Sequence, residues 1–309
     1  MARFRSRGDL PPVTLFAQHG IIDSHLHIWE LGVSRYEWIR PELGFLYNDF
    51  PISEARFELA SAGVDSAILV QVEDSLADTE YMLAIADSNE WVRGVVGWVD
   101  LQNPETVIET LDRFGRDSKL VGIRHLIHDD PREGLLLNER VQASLRHIAK
   151  RGLSFDVSDA WPKDLRDVPI LASELDELRI VIDHLGKPPR DKTDQILWRD
   201  AMSKAAAFEN VSTKLSGLLS AVEIYDSESL REVFDFTLQN FGPGRMLFGG
   251  DWPVSTVNGH YSETVEVLFE LISDLSIDER DSILQANAAA VYALDSLPSV
   301  AIHSNGGPK

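Results

Sequence analysis

Residues 21–28 read IIDSHLHI and residues 246–253 read MLFGGDWP. Each is a short run of β-favouring apolar residues that ends in groups able to hold an ion or move a proton. Six further runs of this kind lie between them: SAILVQV from Ser66, VVGWVDL from Val95, VGIRHLI from Val121, SFDVS from Ser154, IVIDHLG from Ile180 and VSTKLSG from Val211. After a first gap of 45 residues, successive runs start 26 to 35 residues apart, about the length of one strand–helix–strand unit. The intervening stretches, such as NERVQASLRHIAKRG, SESLREVFDFTLQNFG and YSETVEVLFELISDL, space their apolar residues as amphipathic helices do. Several of these stretches start with Asp, Ser or Asn in a capping position. Eight alternations of strand and helix predict an α/β chain folded as a single (β/α)8 TIM barrel. An open doubly wound sheet is the alternative. It would bring a Gly-rich first turn, and the sequence contains neither G-x-G-x-x-G nor G-x-x-x-x-G-K-[ST].

The long first gap contains WELGVSRYEWIRPELGFLYNDF. Because it follows strand one, it is expected as a loop insertion over the C-terminal mouth of the barrel, a lid or substrate wall. Residues 21–297 are expected to form the barrel domain, 1–20 an N-terminal extension and 298–309 a disordered tail. No linker divides the chain. Among 309 residues, 50 Asp and Glu face 29 Lys and Arg, a formal charge of −21, which argues against nucleic-acid or anionic-membrane partners. The absence of cysteine removes disulfides, thiolate metal sites and cysteine nucleophiles. No apolar run approaches the roughly 20 residues of a membrane helix, and no secretory signal is evident. A cytoplasmic protein acting on a small molecule is therefore expected, and a homo-oligomer is left open.

Barrel interiors are normally filled with Val, Ile and Leu, yet every run here carries polar residues. Side chains two apart share a face of a strand. This parity groups Asp23, His25 and His27; Gln71 and Glu73; Trp98 and Asp100; Asp156 and Ser158; and Lys214 and Ser216. Strand four sends either Arg124 or His125 inward. In strand six, parity sets His184 on the face of Ile180 and Ile182 and turns Asp183 the other way. Any single polar residue can be a satisfied core group, but eight strands of them are costly to bury without a function. His25, His27, His184 and Asp251 together offer four N/O ligands on three strands, a set suited to one divalent ion such as zinc or manganese. Read without an ion, the same histidines are hydrogen-bonding groups, and Asp251 caps the Trp252–Pro253 turn. His19, His147, His260 and His303 read as structural or solvated, and His128 and Lys187 as loop residues.

As an ordered set, DSHLHIWE, YEWI, GWVDL, GIRH, FDV, DHLGKP, TKLSG, GGDWPV and the late Asn287, Ala288 and Tyr292 resemble the amidohydrolase superfamily. Within it they are most similar to the branch of L-fuconolactonase-like and rhamnonolactonase-like sugar lactonases. The resemblance implies that His25, His27, His184 and Asp251 form the metal or catalytic shell, and that Arg124 contacts a carbonyl or carboxylate. The larger superfamily often has a bridging Lys or Glu on strand four and a His on strand five. This sequence has Arg124 and His125 on the former and Asp156 on the latter, so at most one ion is implied. Because some lactonases of this branch work without an ion, metal-independent catalysis stays open.

Hydrolysis of a lactone is the leading expectation. Neither a cysteine nor a G-x-S-x-G elbow supplies a covalent nucleophile, so water attacks directly, with Asp251 as general base. His25, His27 and His184 orient the water or polarise the carbonyl, and Arg124 stabilises the oxyanion. Gln71, Trp98, His125, Lys214 and Trp252 are expected substrate contacts, with Tyr36 and Trp38 as further aromatic wall. Lys214 could equally form a buried ion pair with Asp156 or Asp100. A dicarboxylate lactone would need several arginines at the mouth. Arg124 is the one strand-end candidate, with Arg35 and Arg40 in the first loop, so a sugar-acid lactone is favoured. The competing activities are a metal-dependent hydrolase of another ester or amide, and a decarboxylase or hydratase of the same superfamily.

Overall fold

The computed structural model describes residues 17, 19–128, 130–218 and 227–294. The expected tail at 298–309 and nearly all of the 1–20 extension lie outside these residues. Eight parallel strands follow one another around a single sheet in chain order. They are β1 (Ile22–Leu26), β2 (Ser66–Val70), β3 (Val92–Gly97), β4 (Leu120–His125), β5 (Ser154–Val157), β6 (Arg179–Ile182), β7 (Val211–Leu215) and β8 (Met246–Phe248). The ring closes beyond the regular ladder. Leu26 bridges Trp252 in parallel, His27 N donates to the Trp252 carbonyl at 2.8 Å, and Asp251 N donates to the His25 carbonyl at 2.8 Å. This is the expected (β/α)8 barrel, with closure made by the two segments that carry the sharpest site residues.

Helices α1 (Ile52–Ser61), α2 (Leu76–Asp87), α3 (Pro104–Phe114), α4 (Glu139–Lys150), α5 (Val168–Glu174), α6 (Lys192–Ala206), α7 (Ser227–Phe241) and α8 (Tyr261–Ile272) return the chain between strands or after the last one. Their starts follow the capping rule where the sequence provides a cap. Ser75 Oγ accepts from Asp78 N, Asn138 Oδ1 from Arg140 N and Asp191 Oδ1 from Thr193 N. Leu26, Ile123, Phe155, Ile180, Ile182 and Phe248 face outward into a core shared with the helices. Ile22, Ile68, Val70, Val96, Val181 and Leu247 fill the barrel axis together with Ala288 and Tyr292. No helix among the described residues is long and apolar enough to cross a membrane.

The segment between β1 and α1 folds back over β2. Trp29 pairs with Phe50 through both backbone groups, Trp38 Nε1 donates to the Val72 carbonyl at 2.8 Å, and Tyr36 donates to Asp78 at 3.1 Å. These bonds hold Trp38 at the barrel mouth.

Candidate active site

Two departures from regular geometry build the site. A register shift in β1 between Asp23 and Leu26 separates residues that strict alternation would put on one face. Asp23 turns outward to accept from Tyr261 Oη at 2.8 Å and Gly250 N at 2.7 Å, while His25 points into the barrel. The second departure corrects the parity assigned to strand six. Ile180 and Ile182 face the helices, so it is Asp183 that follows Val181 inward. His184 reaches the mouth only because the chain turns through left-handed backbone at His184 and Leu185, with φ of 51° and 56°. Asp251 is left-handed too, at φ 56°, a conformation short polar residues tolerate better than most.

His25, His27 and Asp251 converge. His25 Nε2 lies 3.1 Å from His27 Nε2, and Asp251 Oδ1 lies 3.9 Å from the first nitrogen and 3.5 Å from the second. Because the Val70 carbonyl can only accept, His27 Nδ1 carries the proton in their 2.8 Å bond, so in the neutral ring Nε2 presents a lone pair to the cluster. Ligands about 2.0–2.1 Å from a tetrahedral ion stand about 3.3 Å apart, so the three donor atoms fit one divalent ion. His25 Nδ1 lies between Lys214 Nζ at 3.1 Å and Asp183 Oδ1 at 3.3 Å, and these two buried groups hold the ring in place. Burial, and after it the charge of Lys214, keeps the His25 pKa well below the ordinary histidine value, so the ring is neutral, as a ligand must be. His184 belongs to a different grouping, with His25 and Asp183. Its ring centroid is 4.5 Å from that of His25, and its Nδ1 pairs with Ser216 Oγ at 2.8 Å.

Two glycines make room for this packing. A Cβ at Gly249 would stand 2.6 Å from the His25 Cβ and 2.9 Å from the Ser216 Cβ. At Gly217, where φ is +64°, it would stand 3.2 Å from His184 Nδ1.

His27, Arg124, His184, Asp251 and Gln71 line a cavity of about 300 Å³, within the usual range for a small-molecule site. Arg124 is fixed by Nε donating to Asp183 Oδ2 at 2.8 Å and by the Gln71 carbonyl at 3.3 Å from Nη1. Gln71 is fully buried and donates to Asp74 Oδ1 at 3.2 Å, yet its Oε1 has no protein partner.

Most of the remaining expected contacts lie elsewhere. Lys214 is wholly buried beneath the site, 2.6 Å from Asp156 Oδ2 and 3.1 Å from Asp183 Oδ1; the ion pair, not solvent, takes its ammonium. Trp252 packs against Phe50 and is 2 % exposed, outside the cavity wall because its backbone serves barrel closure. Arg124 takes the inward position on β4, so His125 is turned into a neighbouring groove with Trp98, whose Nε1 donates to His125 Nδ1 at 3.0 Å. Of the aromatic wall, Trp38 lines the cavity, whereas Tyr36 is buried. Arg35 is exposed beside Glu37, and Arg40 lies in a separate outer groove. Sequence reasoning missed Asp159 and set aside His128 and Lys187, all of which line the cavity; Asp159 binds Lys187 Nζ at 2.6 Å. Alternation along a strand gives no signal for such loop residues.

A family model described as Amidohydrolase matches residues 22–294. The chain belongs to the amidohydrolase family. This amidohydrolase is 34% identical over 287 residues to an L-fucono-1,5-lactonase of Burkholderia ambifaria, a match covering 89% of this chain and 96% of that protein. It is 30% identical to an L-fucono-1,5-lactonase of Burkholderia multivorans, with 88% and 96% covered. Among solved structures, an amidohydrolase from Burkholderia multivorans with bound zinc superposes with a TM-score of 0.80 at 28% identity, covering 89% of this chain and 99% of that one.

Proposed function

We propose that this amidohydrolase opens a lactone ring by direct attack of water, and that its substrate is a sugar-acid lactone. The observation that carries the reading is the convergence of His25 Nε2, His27 Nε2 and Asp251 Oδ1 beside a cavity whose wall carries His27, Asp251 and Arg124. The L-fucono-1,5-lactonases it is similar to, each about a third identical over nearly their full length, support a cyclic ester as the bond broken. His25, His27 and Asp251 would hold one zinc- or manganese-type ion, and the zinc-bound relative supports the choice of metal. When bound, the ion supplies Lewis acidity to the ester carbonyl and lowers the pKa of water.

The protein groups do the rest. Asp251 accepts a proton as the water oxygen bonds to the carbonyl carbon, then delivers it to the ring oxygen as the ring C–O bond breaks, leaving a hydroxy acid. Arg124, which cannot lose its proton, donates to the carbonyl oxygen as negative charge develops there. His184, its Nδ1 engaged by Ser216, offers its other nitrogen to the substrate. Gln71 Oε1 is a buried acceptor suited to a substrate hydroxyl, since leaving it unpaired is costly. Among the described residues Arg124 is the one arginine at the cavity, itself bonded to Asp183, which favours a neutral polyol over a dicarboxylate.

Acid release from L-fucono-1,5-lactone, other aldonolactones and a pyrone dicarboxylate, before and after chelation, tests the reading. The expected outcome is turnover of the sugar lactones that chelation removes and added zinc or manganese restores. Absence of acid release from every lactone overturns it.

A further inference from the structure

Three polar groups of the cavity wall, His128, Asp159 and Lys187, neither move the proton nor hold the carbonyl. They follow β4, β5 and β6 respectively. In a closed ring of eight strands in chain order, β5 stands opposite β1 and β4 opposite β8. Asp159 and His128 therefore face His27 and Asp251 from across the mouth, and a ligand in the cavity lies between the two sets.

Asp159 and Lys187 form one unit. Lys187 Nζ donates to Asp159 Oδ2 at 2.6 Å, and His128 Nε2 lies 4.0 Å from the same oxygen. Both members of the pair hold left-handed backbone, with φ of 37° at Asp159 and 55° at Lys187, a conformation that costs free energy and gathers at functional sites. The ion pair does not offset that cost, because the Lys187 side chain is 58 % exposed and a pair open to solvent adds little stability. The unit is better suited to a ligand. At one place on the wall it sets a carboxylate acceptor a hydrogen-bond length from an ammonium with protons to spare. Neighbouring hydroxyls on a sugar ring have a similar spacing, and each can both donate and accept.

Resting on the lactonase reading, we infer that Asp159 and Lys187 bind the C3 and C4 hydroxyls of a sugar-acid 1,5-lactone, Asp159 accepting and Lys187 donating. In a six-membered lactone the C3–C4 bond is directly across the ring from the bond that breaks, between C1 and the ring oxygen. With that bond at Asp251, C3 and C4 come to the β4–β6 side of the mouth. The pair selects which lactones are bound and leaves bond breaking to the groups on the far side.

Acid release from L-fucono-1,5-lactone and its 2-, 3- and 4-deoxy analogues tests this. In the wild-type protein, loss of the C3 or the C4 hydroxyl is expected to lower kcat/KM roughly 10- to 100-fold, as for a hydrogen bond to a charged group. The loss is expected mainly in KM, since both hydroxyls lie away from the reacting bond. Asp159→Gly removes the carboxylate with a residue that suits left-handed backbone. It is expected to turn over the 3- and 4-deoxy lactones as well as the parent, while its ratio for the 2-deoxy analogue stays that of wild type. Lys187→Met repeats the comparison at a largely exposed position, where folding is not at stake, and is expected to shrink the same two penalties. Turnover in which losing either hydroxyl costs nothing in wild type, or costs as much in both variants as in wild type, overturns the inference and leaves the lactonase reading standing. Absence of acid release from every lactone removes that reading, and the inference with it.

Discussion

The interior of this barrel holds two layers that follow opposite rules. Ile22, Ile68, Val70, Val96, Val181 and Leu247 are at most 1 % exposed and pack into one cluster along the barrel axis, as a packed barrel interior requires. His25, Arg124, Asp156, Asp183 and Lys214 also lie inside the barrel and are nearly as buried. The two carboxylates and two cations cancel in charge and interlock. Lys214 Nζ meets Asp156 at 2.6 Å and Asp183 at 3.1 Å, Arg124 Nε meets Asp183 at 2.8 Å, and Tyr292 donates to Asp156 at 2.7 Å. A buried set of this kind adds little net stability, because desolvation offsets its attraction. What it supplies is position: it fixes Arg124 and the outer nitrogen of His25, and through them the floor of the cavity. The apolar layer folds the barrel, and the charged layer aims the site.

That division can be broken from the top downward. Asp251→Asn keeps the shape of the cluster but removes the proton acceptor and a charged ligand. Lactone kcat/KM is expected to fall roughly 10²–10⁴-fold with the unfolding midpoint little changed, as steady-state kinetics and denaturant titration would reveal. Lys214→Met leaves Asp156 and Asp183 buried beside one cation fewer. A loss of about 3–5 kcal/mol in unfolding free energy is expected, visible as a lower urea midpoint, together with a fall in kcat as His25 loses its support. If Lys214→Met unfolds at the wild-type midpoint, the charged layer does not have the role assigned to it.

A buried carboxylate without a cation sharpens the same contrast. Burial tends to raise Asp183, but the charges of Lys214 and Arg124 outweigh it and hold the group well below the ordinary carboxylate range. Asp78 has only Val72 N at 2.8 Å, Glu73 N at 3.4 Å and Tyr36 Oη at 3.1 Å. Burial prevails over these and pushes it up to about 6 from 3.8. Because the folded value is raised, the stability that the protonated form contributes is fully present below about pH 3.8 and is lost as pH rises through 6. The shift corresponds to about 3 kcal/mol. In urea titrations from pH 4 to pH 7, wild type is expected to lose up to that amount relative to Asp78→Asn, and a pH-independent difference would refute the assignment.

Much of this was legible in the sequence where the ladder is regular. The spacing of the eight runs gave the barrel, and His-x-His at one end and GGD at the other gave the cluster, because closure brings β1 beside β8. Alternation failed at irregular backbone. The register shift in β1 separates Asp23 from His25, and left-handed turns at His184 and Leu185 let His184 reach the mouth while Asp183 takes the inward place. Lys214 had the right parity but no depth; periodicity tells which face a side chain takes and is silent on how far along the axis solvent reaches.

The smallest expected effect tests the layer that should not matter to chemistry. Ile68 is fully buried in the apolar floor, and Ile68→Val deletes one methylene there without altering polarity. The expected cost is about 0.5–1.5 kcal/mol of stability, with kcat/KM on the best lactone unchanged within twofold, since no charged contact of the layer above depends on that methyl. A tenfold fall in kcat/KM with a normal urea midpoint would mean that packing at the floor is transmitted to His25 and Arg124, and that the two layers are mechanically one. Equal activity in Ile68→Val and wild type, set against the fall expected for Lys214→Met, would place the control of site geometry in the charged layer alone.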